Sequence, residues 1–262
     1  MMAIPVVYVS EADERPKIID ADGNEFVLPK TFNVRSEPIA RKQALMDVAF
    51  AHGARDVSDG KMTTRIVEVS GKLWAETDAE YNSAWDALAA QIIKESFRLE
   101  DRGRQINVWK VVDIQHTYPS QASFRYGEVA LQLLCLDPFW YATAVRSKEF
   151  TISYSPQIIA FEVGGNIEVH PTIEIENLAD NVDFALEAVT DGGKSSRIQD
   201  SGALNGTTIL IDCATGAVTR DGTDIIAAFS GIFPRILGGR ENRFEYTGAA
   251  ACVTFQYREA WL

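Results

Sequence analysis

The side chains able to act as catalysts or ligands are few in this sequence: three histidines, three cysteines and some closely spaced aspartates. A nucleophile–histidine–acid relay needs an imidazole free to shuttle protons. His52 falls in a polar, Gly-punctuated stretch, His116 in a β-branched run, and His170 directly before Pro171. None has a GxSxG or HExxH neighbourhood. No two histidines or cysteines share metal-ligand spacing. Cys135, Cys213 and Cys252 are odd in number and far apart, and without a CxxC they indicate neither a zinc site nor a disulfide framework. Cys135 lies in an apolar run and reads as a small hydrophobe. Asp212, Asp221 and Asp224 are spaced closely enough to pair as glycosidase carboxylates. Asp221-Gly222 is the more ordinary signature of a turn, and that reading is preferred. Gly164-Gly165 and Gly238-Gly239 lack the GK[ST] of a phosphate loop. Phe244, Tyr246, Phe255 and Tyr257 could form a sugar-stacking platform, but alternating strand aromatics more often fill a core. By exclusion the residues argue against an enzyme and for a structural or binding protein.

The chain has 262 residues, 46% hydrophobic and 24% charged, the proportions of a globular protein with one large domain or two ordinary ones. No apolar run reaches membrane-span length. The N-terminus lacks a basic region before a long apolar core, so no signal peptide is read there and synthesis in the cytoplasm is expected. A formal net charge of −12 disfavours a surface that grips nucleic acid. It is compatible with one that nucleic acid slides past, but from charge alone ordinary solubility is the favoured reading.

The elements that position these residues are mostly strands. Val6–Val9 reads as a short strand, and Ile18-Ile19 and Phe26–Leu28 flank an Asp22-Gly23-Asn24 turn as a hairpin. Pro29 and Pro38 bracket an extended, edge-like Thr31–Ser36. Gln43–Phe50 leans to a strand, and His52–Lys61 is a polar arm or long hairpin tip. Thr63–Trp74 is a long β-branched strand. Thr77 and Glu80 have capping-box spacing, and Tyr81, Trp85, Leu88, Ala89 and Ile92 then form one helical stripe, with Lys94 suited to the helix dipole. Ile106–Tyr118 reads as one two-faced strand: Ile106, Val108, Val112, Ile114 and His116 on one face, Asn107, Trp109, Val111, Asp113 and Gln115 on the other. Pro119–Gln121 is a turn before the apolar strand Val129–Leu136.

Asp137-Pro138-Phe139-Trp140-Tyr141 then stops that strand, because Pro138 has no N–H for a ladder. Three aromatics in a row need burial. The stretch reads either as a strand end or as an interdomain plug formed by Pro138, Phe139, Trp140 and Tyr141. From Glu149 onward the sequence shows short alternating runs between Gly, Asn and Asp turns, with no helix of useful length. Thr172–Asn177 puts Ile173 and Ile175 on one face, and Val182, Phe184 and Leu186 alternate likewise. Ile209–Asp212 and Ala217–Arg220 have hairpin spacing, Gly231–Arg235 is a loop with a hydrophobic tip, and Phe244–Tyr246 and Val253–Tyr257 close a β-sandwich.

In this order the motifs resemble the distal tail protein (Dit) family of long-tailed phages. The resemblance rests on Asp137–Tyr141 at the close of a first domain, His170–Ile175, Thr208–Asp212 followed by Gly216–Gly222, and Ser230–Leu237 followed by Gly239 and Asn242. Asp59-Gly60 before a long strand and the helix Asp78–Lys94 sit where the family has them. Gly238–Asn242 is looser than the turn expected there. The resemblance implies a mainly β fold in two domains. Residues 1–146 would form a tail-tube-like β-sandwich or split barrel with one helix over 78–95, closing a hexameric ring. Residues 147–262 would form a galectin-like β-sandwich, without an inserted carbohydrate-binding module. It further implies a structural role with no catalysis and no cofactor. The implied partners are five further copies, the major tail tube protein, a tail-tip hub protein, the tape-measure end and a receptor-binding protein. DNA would pass an acidic lumen without specific binding, no membrane would be engaged, and the protein would reside at the virion tail tip. Asp56 and Asp59 in the arm, and Trp109 and Val111 on the two-faced strand, are the expected contacts with neighbouring copies. The alternative reading is a carbohydrate-binding adhesin of the lectin type.

Overall fold

The computed structural model describes residues 15–37, 39, 45–47, 54–56, 62–117 and 125–262. Contacts between Cα atoms divide the chain inside the proline-aromatic stretch into two units, Met1–Trp140 and Tyr141–Leu262. The fold is mainly β, with a single α-helix among the described residues. The expected strand Val6–Val9 and turn Pro119–Gln121 lie outside them.

In the first unit, β1 (Lys17–Ile19) and β2 (Glu25–Val27) form the expected hairpin. Its turn is closed by Asp20, whose Oδ1 accepts from the Asn24 N–H at 2.7 Å. β3 (Asn33–Ser36) follows, then a short ribbon of β4 (Leu45–Asp47) and β5 (Ala54–Asp56). Part of the expected arm is therefore strand, and only three residues of the expected strand Gln43–Phe50 are described as one. β6 (Arg65–Trp74) leads into α1 (Asp78–Ile92). Thr77 caps α1: the Glu80 N–H donates to Thr77 Oγ1 at 3.2 Å, and Glu80 Oε2 accepts from the Thr77 N–H at 3.2 Å. The helix buries Tyr81, Leu88 and Ile92, while Trp85 is half-buried. It ends three residues before the expected 95. Lys94 reaches past the helix end to the buried Asp20 carboxylate at 2.7 Å, and this bond, then those from Asn24, hold that carboxyl well below its usual range.

β7 (Phe97–Asp101) and β8 (Arg104–Val108) form a hairpin through Arg102 and Gly103, both at positive φ. The sequence reading missed β7. It also joined β8 to β9 (Lys110–Thr117), whereas the two belong to different sheets. β8 continues the order β2-β1-β7-β8, while β9 pairs with β10 (Tyr126–Cys135) at the edge of the sheet β3-β6-β10-β9. One break at Trp109 thus lets a single stretch serve both sheets.

β11 (Trp140–Ala142) crosses the boundary, and the second unit follows. Its strands are β12 (Arg146–Ile152), β13 (Gln157–Val163), β14 (Thr172–Asn177), β15 (Asp183–Ala188), β16 (Lys194–Gln199), β17 (Thr208–Asp212), β18 (Ala217–Arg220), β19 (Thr223–Asp224), β20 (Phe229–Gly231), β21 (Arg240–Thr247), β22 (Ala251–Tyr257) and β23 (Ala260–Trp261). All but β23 make two sheets, β12-β22-β14-β17-β18-β19 and β13-β21-β15-β16-β20, facing one core. Ile173 and Ile175 enter it as expected, but Val182 precedes β15 and is exposed, and Ala188 takes the third inward place. Phe161, Phe244 and Phe255 meet at the centre with ring centroids 5.0–6.0 Å apart. At one end Asn181 Nδ2 donates to Tyr246 Oη at 2.6 Å and to Asn177 Oδ1 at 2.9 Å, satisfying the polar groups that the loops bury.

Candidate functional site: an open four-stranded sheet

The strongest candidate surface is the sheet β3-β6-β10-β9. Along β10, Val129, Leu131 and Leu133 are buried, while Glu128 and Gln132 on the alternate positions are exposed. One face therefore packs on the core and the other is left open. Cross-strand partners share a face. On the open face Arg35 stands opposite Glu68, Lys72 opposite Glu128, and Gln132 opposite Asp113. Lys110 lies opposite Leu134 there, and Glu37 follows β3 opposite Ile66, so the face carries Arg35, Lys72 and Lys110 against Glu37, Glu68, Glu128 and Asp113 among the described residues. At one end Trp74 pairs with Tyr126, and the Trp74 ring is 69% exposed. A depression of about 500 Å³ between the strands is lined by Thr31, Asn33, Lys72, Gln115 and Glu128.

Two close approaches set the buried face. A Cβ on Gly71 would lie 2.5 Å from the Phe32 ring, and one on Gly127 would run into the Tyr81 hydroxyl. The missing side chains let Phe32 and Tyr81 lie against the central strands. Tyr81 Oη and His116 Nε2 share a hydrogen bond of 2.6 Å, and Trp85 stacks on His116 at 4.1 Å. Burial lowers the His116 pKa, favouring the neutral ring. This histidine joins edge strand to helix.

β9 is the outer strand on one side and β3 on the other. The register of β9 slips between Gln132 and Leu133, and Val112 is the extra residue. The slip corrects the two-face reading, because Val111 lies opposite Leu133 on the core side, with Ile114 and His116, and not with Asp113 and Gln115. Val112 and Ile114 are each 44% exposed along this edge. Trp109 is 47% exposed at the break, with Lys110 Nζ 4.6 Å from its ring centroid.

The other candidate residues are scattered. Asp56 ends β5, and its side chain, like the whole of Asp59, lies outside what is described. Pro138 and Trp140 are buried and Phe139 is half-buried; Trp140 Nε1 donates to Ser36 Oγ at 2.9 Å within the first unit. Tyr141 packs on the core of the second. The three aspartates spaced like glycosidase carboxylates accept from backbone instead: Asp212 from the Ala214 N–H and Asp224 from the Ile226 N–H in local turns, and Asp221 from the Thr208 N–H of the neighbouring strand. Phe244, Tyr246, Phe255 and Tyr257 are buried, so they form a core and not a sugar platform. Cys135 and Cys213 are buried thiols pushed up to about 12 by burial. Among the described residues no group of three or more His, Cys, Asp or Glu is placed to hold a metal ion, and no helix is long and apolar enough to cross a membrane. Sequence reasoning missed Arg65, which opens β6 on the buried face; its even spacing from Val67 and Val69 was the available signal.

Residues 164–261 match the family described as siphovirus-type tail component, C-terminal domain. No curated protein matches the chain. The crystal structure of SPP1 Dit (gp 19.1), called a paradigm of hub adsorption apparatus in Gram-positive infecting phages, is similar over 94% of this chain and 99% of that one, at 15% identity and a TM-score of 0.71. Two structures of the phage P2 baseplate in its activated conformation, with Ca and with Sr, align over 94% of this chain and 97% of that one at 10% and 9% identity. Their TM-score is 0.44 in both cases. The chain has the fold of SPP1 Dit, its second unit carries a siphovirus-type tail component domain, and the resemblance to the distal tail protein family read from its motifs is borne out.

Proposed function

We propose that this chain is a structural subunit at the distal end of a phage tail tube, where six copies close a ring that joins the tube to the tail-tip hub and lets DNA through. The observation that carries this reading is the four-stranded sheet with an outer strand on each side and one open face. An unpaired strand edge is a template for another strand. If β9 of one copy meets β3 of the next, the contact is head-to-tail and closes by rotation. The sheets then run side by side around a lumen lined by their open faces. Val112 and Ile114 on the β9 edge would be covered in the process, and Trp109 and Val111 lie on or beside that contact.

The lumen this produces is only slightly acidic. Its described lining has three basic side chains, Arg35, Lys72 and Lys110, against four acidic ones, Glu37, Glu68, Glu128 and Asp113. Such a face offers phosphate no net cationic hold, which suits passage without retention. The second unit would serve as a docking body for tail-tip or receptor-binding proteins, and the proline-aromatic stretch as the joint, with Trp140 anchored on Ser36 and Tyr141 packed in the second core. Residence at the virion tail tip follows from the same reading. Negative-stain images of the purified protein are expected to show rings with a central hole. Fields of separate single copies at every concentration would refute the ring.

A further inference from the structure

The sheet β12-β22-β14-β17-β18-β19 carries an open hollow of about 420 Å³, lined by residues of the second unit. Gln256 on β22 stands opposite Thr172 on β14 there. Their neighbours Phe255 and Ile173 enter the core, so Gln256 and Thr172 point away from it. β22 and β14 are both inner strands, with backbone already paired on either side. The hollow therefore offers side chains and no free ladder. Tyr257 and Val169 are buried at its floor, and half-buried Tyr141 and exposed Val145 add apolar surface. Arg258 and His170 extend it past the strand ends.

The acids around Arg258 are engaged elsewhere. Glu168 is the one acid lining the hollow among the described residues, and its Oε2 accepts from Arg235 Nη1 at 2.6 Å. Glu259 accepts from the Gly164 N–H at 3.2 Å, and Asp212 from the Ala214 N–H at 3.0 Å. Neither a hydrogen bond nor an ion pair joins the half-buried Arg258 guanidinium to another described residue. We propose that this hollow binds a saccharide unit carrying a carboxylate, a hexuronic acid within a chain. A guanidinium presents parallel N–H donors that match a carboxylate. The Gln256 amide both donates and accepts, and the Thr172 hydroxyl does the same, which suits ring hydroxyls. Tyr141 and Val145 supply apolar surface for the C–H face of a pyranose. The volume is that of a small-ligand site. An acidic peptide fits less well, because the inner strands leave it no backbone to pair with. The inference goes beyond the tail-tip reading and does not need the ring.

The test titrates the full-length protein in a calorimeter with tetramers of galacturonic, glucuronic and mannuronic acid, their neutral methyl esters, a tetraglutamate peptide and inorganic phosphate. At least one uronic tetramer is expected to bind saturably, and its ester at least tenfold more weakly, about the worth of one charge-assisted pair. Arg258→Gln should weaken that tetramer by about tenfold or more at an unchanged melting temperature. If Arg258→Gln melts lower than the parent, Gln256→Ala on the exposed rim decides, with a several-fold loss expected. No saturable binding of any uronic tetramer up to about 10 mM would overturn the site. So would an ester that binds as well as its acid, tetraglutamate or phosphate binding more tightly than every tetramer, or variants that bind like the parent. None of these results bears on whether rings form.

Discussion

The two units solve burial differently. In the second, two sheets enclose a continuous aromatic core, and the end loops are satisfied by Asn177, Asn181 and Tyr246. Several carboxylates there hold turns or Arg partners, as Asp191 holds Arg235 at 2.6 and 2.8 Å. The first has a sheet with an open face, an outer strand bearing exposed Val112 and Ile114, and a buried Arg65 whose Nε and Nη1 meet no hydrogen-bond partner among the described residues. One unit is complete by itself, and the other has features that a neighbouring copy would complete. The contrast places the proposed self-association in the first unit.

The largest effect expected is in the complete unit. Phe255→Ala removes a ring that touches Phe161 and Phe244, and should destabilise by about 3–5 kcal/mol. Calorimetry should show the loss, with self-association measured below the lowered melting range unchanged. If association falls with it, the contrast between the units is broken. Gly127→Ala tests the first unit. Its new methyl meets the Tyr81 hydroxyl and His116 Nε2, which should cost about 1–3 kcal/mol by overpacking. Because His116 lies on β9, this variant should weaken association as well as lower the melting temperature. Adding Tyr81→Phe removes the hydroxyl and should recover part of both.

The smallest effect is a pH dependence. Hydrogen bonds from Arg235, then Lys194, hold the Asp191 carboxyl at about 2 against an ordinary 3.8. Its folded pKa is depressed, so its contribution is complete above about pH 4 and is lost as pH falls toward 2. Asp191→Asn should flatten that part of the second unit's acid unfolding curve. An unchanged curve would mean that the Arg235 contact adds nothing to the unit's stability.

Local chemistry was legible in the sequence. The Thr77–Glu80 box starts α1, Asp22-Gly23-Asn24 turns β1 into β2, and Ala214-Thr215-Gly216 turns β17 into β18. Each signal lies within a few residues of its effect. The departure at Trp109 was not legible, because apolar spacing continues through it although the strand changes sheet. Nor was the slip at Val112, since nothing in Lys110–Thr117 marks an extra residue. β7 carries only Phe97 and Leu99 as apolar residues, too few to stand out. The candidate site itself depends on which strands end up outermost, and that follows from pairings such as β3 with β6, far apart in sequence. Trp109 and Val111 pointed to the right strand, but only the register shows that Val111 faces inward.

Edge-to-edge closure can be tested by covalent capture. Arg35→Cys on β3 and Gln115→Cys on β9 place exposed thiols on opposite sides of the sheet. In a Cys252→Ser background, a short bis-maleimide should convert the double variant into a ladder ending at about six times the 29.0 kDa chain mass, with each single variant staying monomeric because the facing strand carries no thiol. A double variant that stops at dimers, or stays monomeric, would contradict closure through these two strands.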